Sequence, residues 1–127
     1  MSQQTRCYQS DLAVVGAGIA GCAATVFAQA RCLQTTQIGN AGALAYTSGY
    51  FDLLGVADSK YLKNPWQGLA QLREQQPDHP YAKLSDIEIR NAFEEFTETL
   101  GKMGVNYACS ADSNQMAMLP AGACKPS

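Results

Sequence analysis

The sequence predicts an α/β fold, a parallel sheet with flanking helices, from three observations near the start of the chain. A short apolar run at 11–15 leads into a glycine-rich loop at 16–21, and an alanine-rich segment without proline follows at 22–30. A second short run at 33–38 ends the pattern. Strand, glycine loop, helix and strand within about thirty residues are typical of the first unit of a Rossmann-like dinucleotide-binding fold.

The elements of this unit are predicted by residue type. Residues 11–15 read Asp-Leu-Ala-Val-Val, and this run without alternation is typical of a strand buried on both faces of a parallel sheet. Residues 22–30 are expected to form a helix because alanine has the highest helix propensity. Residues 33–38, which include Thr35, Thr36 and Ile38, are predicted as the second strand.

The next segments predict a long loop and two helices. Residues 39–55 contain four glycines and little periodicity, which indicates an ordered loop of functional importance. Asn64 and Pro65 are typical of an N-cap and first position, and this short helix is expected to end at 76–81. A capping box at 85–88 predicts a longer helix with an apolar stripe, which Gly104 ends.

The last quarter of the chain gives weaker signals. Val105, Tyr107 and Cys109 alternate with polar or small residues, which predicts a strand, and a further apolar segment lies at 115–119. The end of the chain has neither a capped helix nor a charged tail. We therefore expect an N-terminal tail at 1–10 and a Rossmann-like FAD/NAD(P)-binding domain at 11–127, truncated from a larger flavoprotein.

Composition excludes several classes of function. The 127 residues are 46% hydrophobic and 16% charged, with a net charge of -2 and scattered basic residues, so no nucleic-acid partner is expected. Three glycines, Thr25 and Gln29 interrupt the apolar stretch 12–30, so no membrane span is predicted. The five cysteines include no C-x-x-C pair, which predicts free thiols and no metal site. Without a signal peptide pattern, we expect a cytoplasmic protein.

The glycine loop has the G-x-G-x-x-G spacing of a cofactor-binding motif. In this motif Gly16 permits the tight turn after the strand, Gly18 lets the backbone approach a pyrophosphate, and Gly21 allows close helix–strand packing. The start of the helix then presents free N–H groups to the phosphates. The sequence therefore predicts a bound dinucleotide or flavin.

The acidic residue that would bind an adenosine ribose is missing. Residues 35–40 read Thr-Thr-Gln-Ile-Gly-Asn, so Gln37 or Asn40 would have to make this contact. The absence weakens the prediction of NAD, and no basic residue follows closely to favour NADP. FMN and FAD both remain open.

The second predicted cofactor contact is Thr47-Ser48-Gly49, because hydroxyl groups and free backbone amides in a glycine-rich loop can bind a phosphate or a flavin edge. A surface turn is the alternative interpretation. Asp52 is expected to cap the loop. His79, the only histidine, lies between Asp78 and Pro80 and is expected to be structural or solvated, so no catalytic acid or base is predicted.

Several motifs together resemble one family. They are the glycine motif, Ala43-Leu44 before Thr47-Ser48-Gly49-Tyr50-Phe51-Asp52-Leu53-Leu54, Pro77-Asp78-His79-Pro80-Tyr81, and the late segment Leu119-Pro120-Ala121-Gly122-Ala123-Cys124-Lys125-Pro126. In these motifs the chain resembles the N-terminal portion of the B subunits of anaerobic glycerol-3-phosphate dehydrogenase. The resemblance runs from about Asp11 to the C-terminus, and the chain is much shorter than the family's members.

The resemblance implies a flavoprotein subunit, associated with FMN, in a quinone-linked complex that oxidises sn-glycerol 3-phosphate to dihydroxyacetone phosphate. It implies two partners, a catalytic FAD subunit and an iron–sulfur membrane-anchor subunit, so the chain would be cytoplasmic and peripheral to the inner membrane through them. By this resemblance Gly16, Gly18 and Gly21 are phosphate-side contacts, and 47–49 are flavin-side contacts. FMN has no adenosine ribose, which would explain the missing carboxylate.

Two other functions remain open from the sequence. One is a non-catalytic Rossmann scaffold or electron-relay subunit, and the other is a nicotinamide-dependent dehydrogenase that acts on another substrate. A bound flavin would favour the flavin-dependent oxidoreductase, whereas colourless protein that binds NADH would favour the nicotinamide enzyme.

Overall fold

The structure, a computed structural model, describes residues 7–40, 49–108 and 112–127. The chain divides into two compact units, residues 1–47 and 48–127. The first unit contains strand β1 (Leu12–Val15), helix α1 (Ile19–Ala30) and strand β2 (Thr35–Ile38). The two strands are parallel, with Leu12 opposite Thr35 and Val15 opposite Ile38. The strand–helix–strand order predicted from the sequence is therefore confirmed.

The prediction that β1 is buried on both faces is wrong for the chain as it stands. The side chain of Val15 is 89% exposed, and Leu12 at the other end of the strand is also exposed. Among the described residues of this unit the sheet has two strands, and α1 packs against both of them. One helix covers only one face of a sheet, so α1 by itself cannot bury β1 on both faces.

The second unit combines helices with antiparallel hairpins. Its helices are α2 (Pro65–Gln75) and α3 (Asp86–Lys102), with a 3-10 helix at Pro80–Lys83 between them. One hairpin pairs β3 (Val56–Ala57) with β4 (Lys60–Tyr61). The other pairs β5 (Met116–Met118) with β6 (Cys124–Pro126).

Both helix starts predicted in this unit are confirmed. Asn64 accepts hydrogen bonds from the N–H groups of Trp66 and Gln67 at 2.9 and 3.2 Å, and Pro65 is the first residue of α2. Ser85 and Glu88 form the reciprocal capping box that begins α3. Each cap satisfies backbone N–H groups that a helix leaves without an acceptor.

The end of α3 corrects the prediction of a strand after it. The N–H of Val105 donates to the Leu100 carbonyl at 2.9 Å and that of Gly104 to Gly101 at 3.0 Å, with Gly104 at φ +87°. These two bonds form a Schellman motif, which uses Val105 to close the helix. Residues 105–108 form no strand, and Cys109 lies outside the described residues.

Two hairpins, β3–β4 and β5–β6, were not predicted from the sequence. The turn between β3 and β4 has Asp58 and Ser59 at φ +48° and +60°. Two-residue turns with two positive φ values usually contain Asn-Gly or Asp-Gly, so Asp-Ser gave no signal for this one. Strand β5 lies in the apolar segment 115–119, but its pairing with the short β6 has no local signal. A loop with Gly122 at φ +81° joins them.

The core of the second unit lies between α2, α3 and the segment that precedes β3. Leu69 of α2 is fully buried, and Ile89 and Phe96 of α3 are 5% and 8% exposed. The Phe51 ring lies 5.4 Å from Phe96 and 4.5 Å from Tyr107, measured between centroids. The predicted apolar stripe of α3 therefore faces a core.

The described ranges were also searched for membrane-spanning helices and for free cysteines. None of their helices is both long enough and apolar enough to cross a membrane. Within those ranges, four cysteines are free thiols: Cys7, Cys22, Cys32 and Cys124.

Candidate functional site

The glycine loop of the first unit begins with a residue that only glycine suits. Gly16 directly follows β1 and has φ +123°, a backbone conformation that side chains with a Cβ atom rarely adopt. Its N–H donates to the Ile38 carbonyl at 2.7 Å, at the end of β2. The turn is therefore held against the neighbouring strand.

Two other glycines allow the backbone segments around this turn to pack closely. A Cβ atom on Gly21 would lie 2.3 Å from the Gly16 carbonyl oxygen, and one on Gly39 would lie 2.7 Å from the Ala17 nitrogen. Both distances are far below van der Waals contact. Cβ atoms at these two positions would therefore not fit. Their absence lets the glycine loop, the first turn of α1 and the end of β2 come together.

Gly18 is the N-cap of α1 and gives the start of the helix no side-chain acceptor. Its φ and ψ of -78° and 179° are extended, and the first turn contains no acidic residue. The first N–H groups of a helix have no intrahelical acceptor and carry the positive end of the helix dipole. This end of α1 is suited to a phosphate. The glycine loop and the first turn of α1 form a cradle that fits the pyrophosphate of a dinucleotide.

The side chain of Gln37 is partly buried and faces the glycine loop and α1. Its Nε2 donates to the Gly16 carbonyl at 2.9 Å and lies 3.8 Å from Cys22 Sγ, while its Oε1 accepts from the Thr25 hydroxyl at 3.1 Å. The amide thus links β2 to both the glycine loop and α1. Asn40, the other predicted ribose contact, is exposed at the end of the described segment.

Sequence reasoning missed two residues of this site, Thr25 and Gly39. Thr25 lies four residues after Gly21, on the same face of α1, and its hydroxyl is 3.0 Å from the Gly21 carbonyl oxygen. A polar residue at this spacing within an apolar helix was the available signal. Gly39 directly follows a predicted strand that had to pass the glycine loop.

The predicted flavin-side contacts are described only in part. Thr47 and Ser48 lie outside the described residues. Gly49 begins the described part of the second unit, with φ +75°. This left-handed conformation favours glycine, as a specific loop geometry requires.

The described parts of the three later motifs of the family resemblance come together in the second unit. Asp52 forms an ion pair with Lys125 of β6, and the Tyr50 hydroxyl donates to the Met118 carbonyl at 3.0 Å. A Cβ atom on Gly55 would lie 2.6 Å from the Pro126 side chain. Residues 50–55 are therefore fixed to the β5–β6 hairpin.

The histidine motif joins the same segment from another side. The Tyr81 hydroxyl donates to the Leu53 carbonyl at 3.2 Å, and the Tyr81 N–H donates to His79 Nδ1 at 3.2 Å. His79 thereby caps the 3-10 helix, a structural role of the kind predicted for it.

Among the carboxylates that the structure describes, Glu88 has a shifted pKa, and it belongs to a helix cap. Hydrogen bonds from the Ser85 hydroxyl and backbone N–H hold the pKa of Glu88 below its ordinary value. In the described parts of the chain, no group of three or more histidine, cysteine and acidic side chains could hold a metal ion.

Comparison with known families decides between the cofactors that this cradle could hold. Residues 11–127 match the family described as FAD binding domain. The chain belongs to this FAD binding domain family. FAD is one of the two flavins that the sequence left open, and the match includes both the glycine loop and the whole second unit.

Three curated relatives of this FAD binding domain are each named as the B subunit of anaerobic glycerol-3-phosphate dehydrogenase. The protein from Yersinia pseudotuberculosis is 29% identical over 120 residues, covering 91% of this chain and 28% of the relative. That from Vibrio vulnificus strain YJ016 is 32% identical over 118 residues, covering 91% and 27%. That from Actinobacillus succinogenes is 28% identical over 114 residues, covering 88% and 26%.

These comparisons confirm the resemblance predicted from the motifs. The chain spans just over a quarter of the length of the curated relatives it matches. The comparison with solved structures gave no match.

Proposed function

We propose that this chain is the FAD-binding part of a flavin-dependent oxidoreductase that converts sn-glycerol 3-phosphate to dihydroxyacetone phosphate. The observation that carries the proposal is the glycine loop at the start of α1, where Gly16 has φ +123° and Cβ atoms on Gly21 and Gly39 would not fit. The family match over 11–127 and the name shared by the relatives support it.

In this proposal the residues of the first unit bind the cofactor phosphates. Gly16, Gly18 and Gly21 bring the backbone and the start of α1 to the pyrophosphate, since N–H groups there lack intrahelical acceptors. Thr47, Ser48 and Gly49 are assigned to the flavin side. No catalytic acid or base is assigned within this chain.

The proposed reaction removes two electrons and two protons from the secondary alcohol of glycerol 3-phosphate and leaves a ketone. Bound flavin supplies the acceptor of the electron pair. The electrons would continue to a quinone through two partners, a catalytic FAD subunit and an iron–sulfur membrane-anchor subunit. The chain would then be cytoplasmic and peripheral to the inner membrane through those partners.

The first experiment identifies the cofactor and its reduction. The purified protein is expected to show the visible absorption of an oxidised flavin, and mass spectrometry of the released cofactor should identify FAD. Anaerobic addition of glycerol 3-phosphate should bleach this absorption when the partner subunits are present. Flavin that never bleaches would favour an electron-relay or scaffold subunit, and colourless protein that binds NADH would contradict the proposal.

A charge at Gly18 tests whether phosphate lies at the start of α1. Gly18→Asp and Gly18→Asn are both expected to fold, because Gly18 has an extended conformation and both residues are good N-caps. Only Asp places a negative charge beside the phosphates. FAD should bind roughly tenfold more weakly to Gly18→Asp than to Gly18→Asn, a difference of about 1.4 kcal/mol.

Equilibrium dialysis of FAD against the full chain measures this difference, and the thermal midpoints of both variants serve as the control for folding. Both variants add a Cβ atom where Gly18 lets the backbone approach the pyrophosphate, so each should bind FAD more weakly than the wild type does. Wild-type affinity in both variants, with folding intact, would show that no phosphate lies there.

A further inference from the structure

We infer that Gln37 is a positioning residue that holds the glycine loop in its phosphate-binding shape, and that it does not contact the adenosine ribose. This inference rests on the proposed binding of FAD at that loop. It assigns to Gln37 the task of fixing Gly16, whose carbonyl group faces the side-chain amide at 2.9 Å.

The hydrogen bonds require an amide at this position. The Gly16 carbonyl oxygen is only an acceptor, so the atom that faces it must be the NH2 group of Gln37. The remaining amide atom, Oε1, then accepts from the Thr25 hydroxyl at 3.1 Å. A carboxylate, which the ribose-binding motif would place on this strand, has no proton to donate to Gly16.

The same contacts occupy both polar groups of the amide, so neither Nε2 nor Oε1 is left without a partner. The Thr25 hydroxyl also lies 3.0 Å from the Gly21 carbonyl oxygen, so one network joins β2 to both glycines of the close contact. Gln37 is partly buried, and Cys22 Sγ lies 3.8 Å from its Nε2. Hydrogen bonds between partly buried groups fix the backbone that they join more firmly than exposed ones do.

The test replaces the NH2 group with an oxygen. In Gln37→Glu, an ionised carboxylate would face the Gly16 carbonyl oxygen, and we expect the affinity for FAD at pH 8 to fall roughly tenfold. As the pH falls and the carboxyl group is protonated, its O–H can again donate to Gly16. The affinity of this variant should therefore recover in acid, relative to that of the wild type at each pH.

Two further variants control for charge and folding. Gln34→Glu introduces the same change at an exposed position just before β2 and should bind FAD as the wild type does at every pH. Gln37→Met removes both hydrogen bonds without adding charge, and should bind FAD roughly tenfold more weakly with no recovery in acid. It provides the measurement if Gln37→Glu does not fold at pH 8.

A modified cofactor separates positioning from direct contact. Gln37→Glu and Gln37→Met should weaken the binding of FAD and the binding of FAD that lacks the 2′-hydroxyl of its adenosine ribose by the same factor. The reason is that the loop binds the phosphates, which the two cofactors share. A loss confined to unmodified FAD would show a ribose contact and overturn the inference, as would wild-type affinity in both variants. A wild-type chain that binds no FAD would instead refute the proposed function.

Discussion

Gly21 shows at the scale of one residue why the glycine motif needs its third glycine. Gly21→Ala would place a Cβ atom 2.3 Å from the Gly16 carbonyl oxygen, and a backbone atom cannot move aside as a flexible side chain can. We expect the free energy of unfolding to fall by about 2 kcal/mol, despite the better helix propensity of alanine.

Gly101 provides the matched control in another helix. A Cβ atom there would lie 3.6 Å from the Asn106 side-chain oxygen, which is ordinary contact. Gly101→Ala should therefore raise the free energy of unfolding by about 0.5 to 1 kcal/mol. Denaturant unfolding of both variants measures the two changes, and similar values for the two would contradict the close contact at Gly21.

Glu88 gives the cap of α3 a dependence on pH. Its carboxylate accepts hydrogen bonds from Ser85 Oγ and N at 2.7 and 2.8 Å, which lowers its pKa in the folded state. This contribution to stability is present above the pKa of Glu88 in the unfolded chain and is lost as the pH falls through the lower pKa of the folded state.

Glu88→Gln keeps an acceptor oxygen but cannot change its charge. The thermal midpoint of the wild type should exceed that of Glu88→Gln near neutral pH, and the difference should shrink in acid. Glu94→Gln, an exposed change in the same helix, should show no such convergence. A constant difference between wild type and Glu88→Gln across the acid range would count against the cap as its source.

At the scale of an element, α3 is the part of the chain that its local sequence predicts best. Its start and its end at Gly104 appear in the structure as predicted, and its apolar stripe is buried at Ile89 and Phe96, although Met103 at the end of the stripe is 72% exposed. Each depends on residues at most four positions apart, which a local pattern can record.

Two isoleucines of α3 test how far that stripe carries the stability of the second unit. Ile89 is 5% exposed and Ile87, two residues earlier, is 61% exposed. Ile89→Ala should lower the free energy of unfolding by about 3 kcal/mol because it leaves a cavity, whereas Ile87→Ala should change it by less than about 0.5 kcal/mol. Equal losses in urea unfolding would mean that the helix packs through another face.

The hairpins show what local patterns leave out. The β3–β4 turn has Asp58 and Ser59 at positive φ, and an Asp-Ser pair does not predict this conformation as Asn-Gly or Asp-Gly would. Strand β6 pairs with β5 across a short loop, and its Lys125 forms an ion pair with Asp52, which lies far away in the sequence. The strand predicted at 105–109 failed in its described part because Val105 closes α3.

At the scale of the whole molecule, the chain is two compact units, although the sequence suggested one domain from residue 11 onward. That single domain remains a prediction. The described parts of the three motifs that carry the family resemblance beyond the glycine loop meet around residues 50–55 in the second unit. Their meeting explains why motifs so far apart in the sequence belong to one pattern.

Residues close together in the chain, or a recognisable motif, encode the strand–glycine loop–helix–strand unit, both capped helices of the second unit and the family, and these could therefore be predicted. Only the tertiary structure showed that Gln37 faces Gly16 and Thr25, that Gly39 lies against the glycine loop, and that Val15 is exposed. The direction of a side chain, the distance between two backbone segments and the burial of a residue all depend on the groups that folding brings beside them. The neighbouring residues in the sequence do not specify those groups.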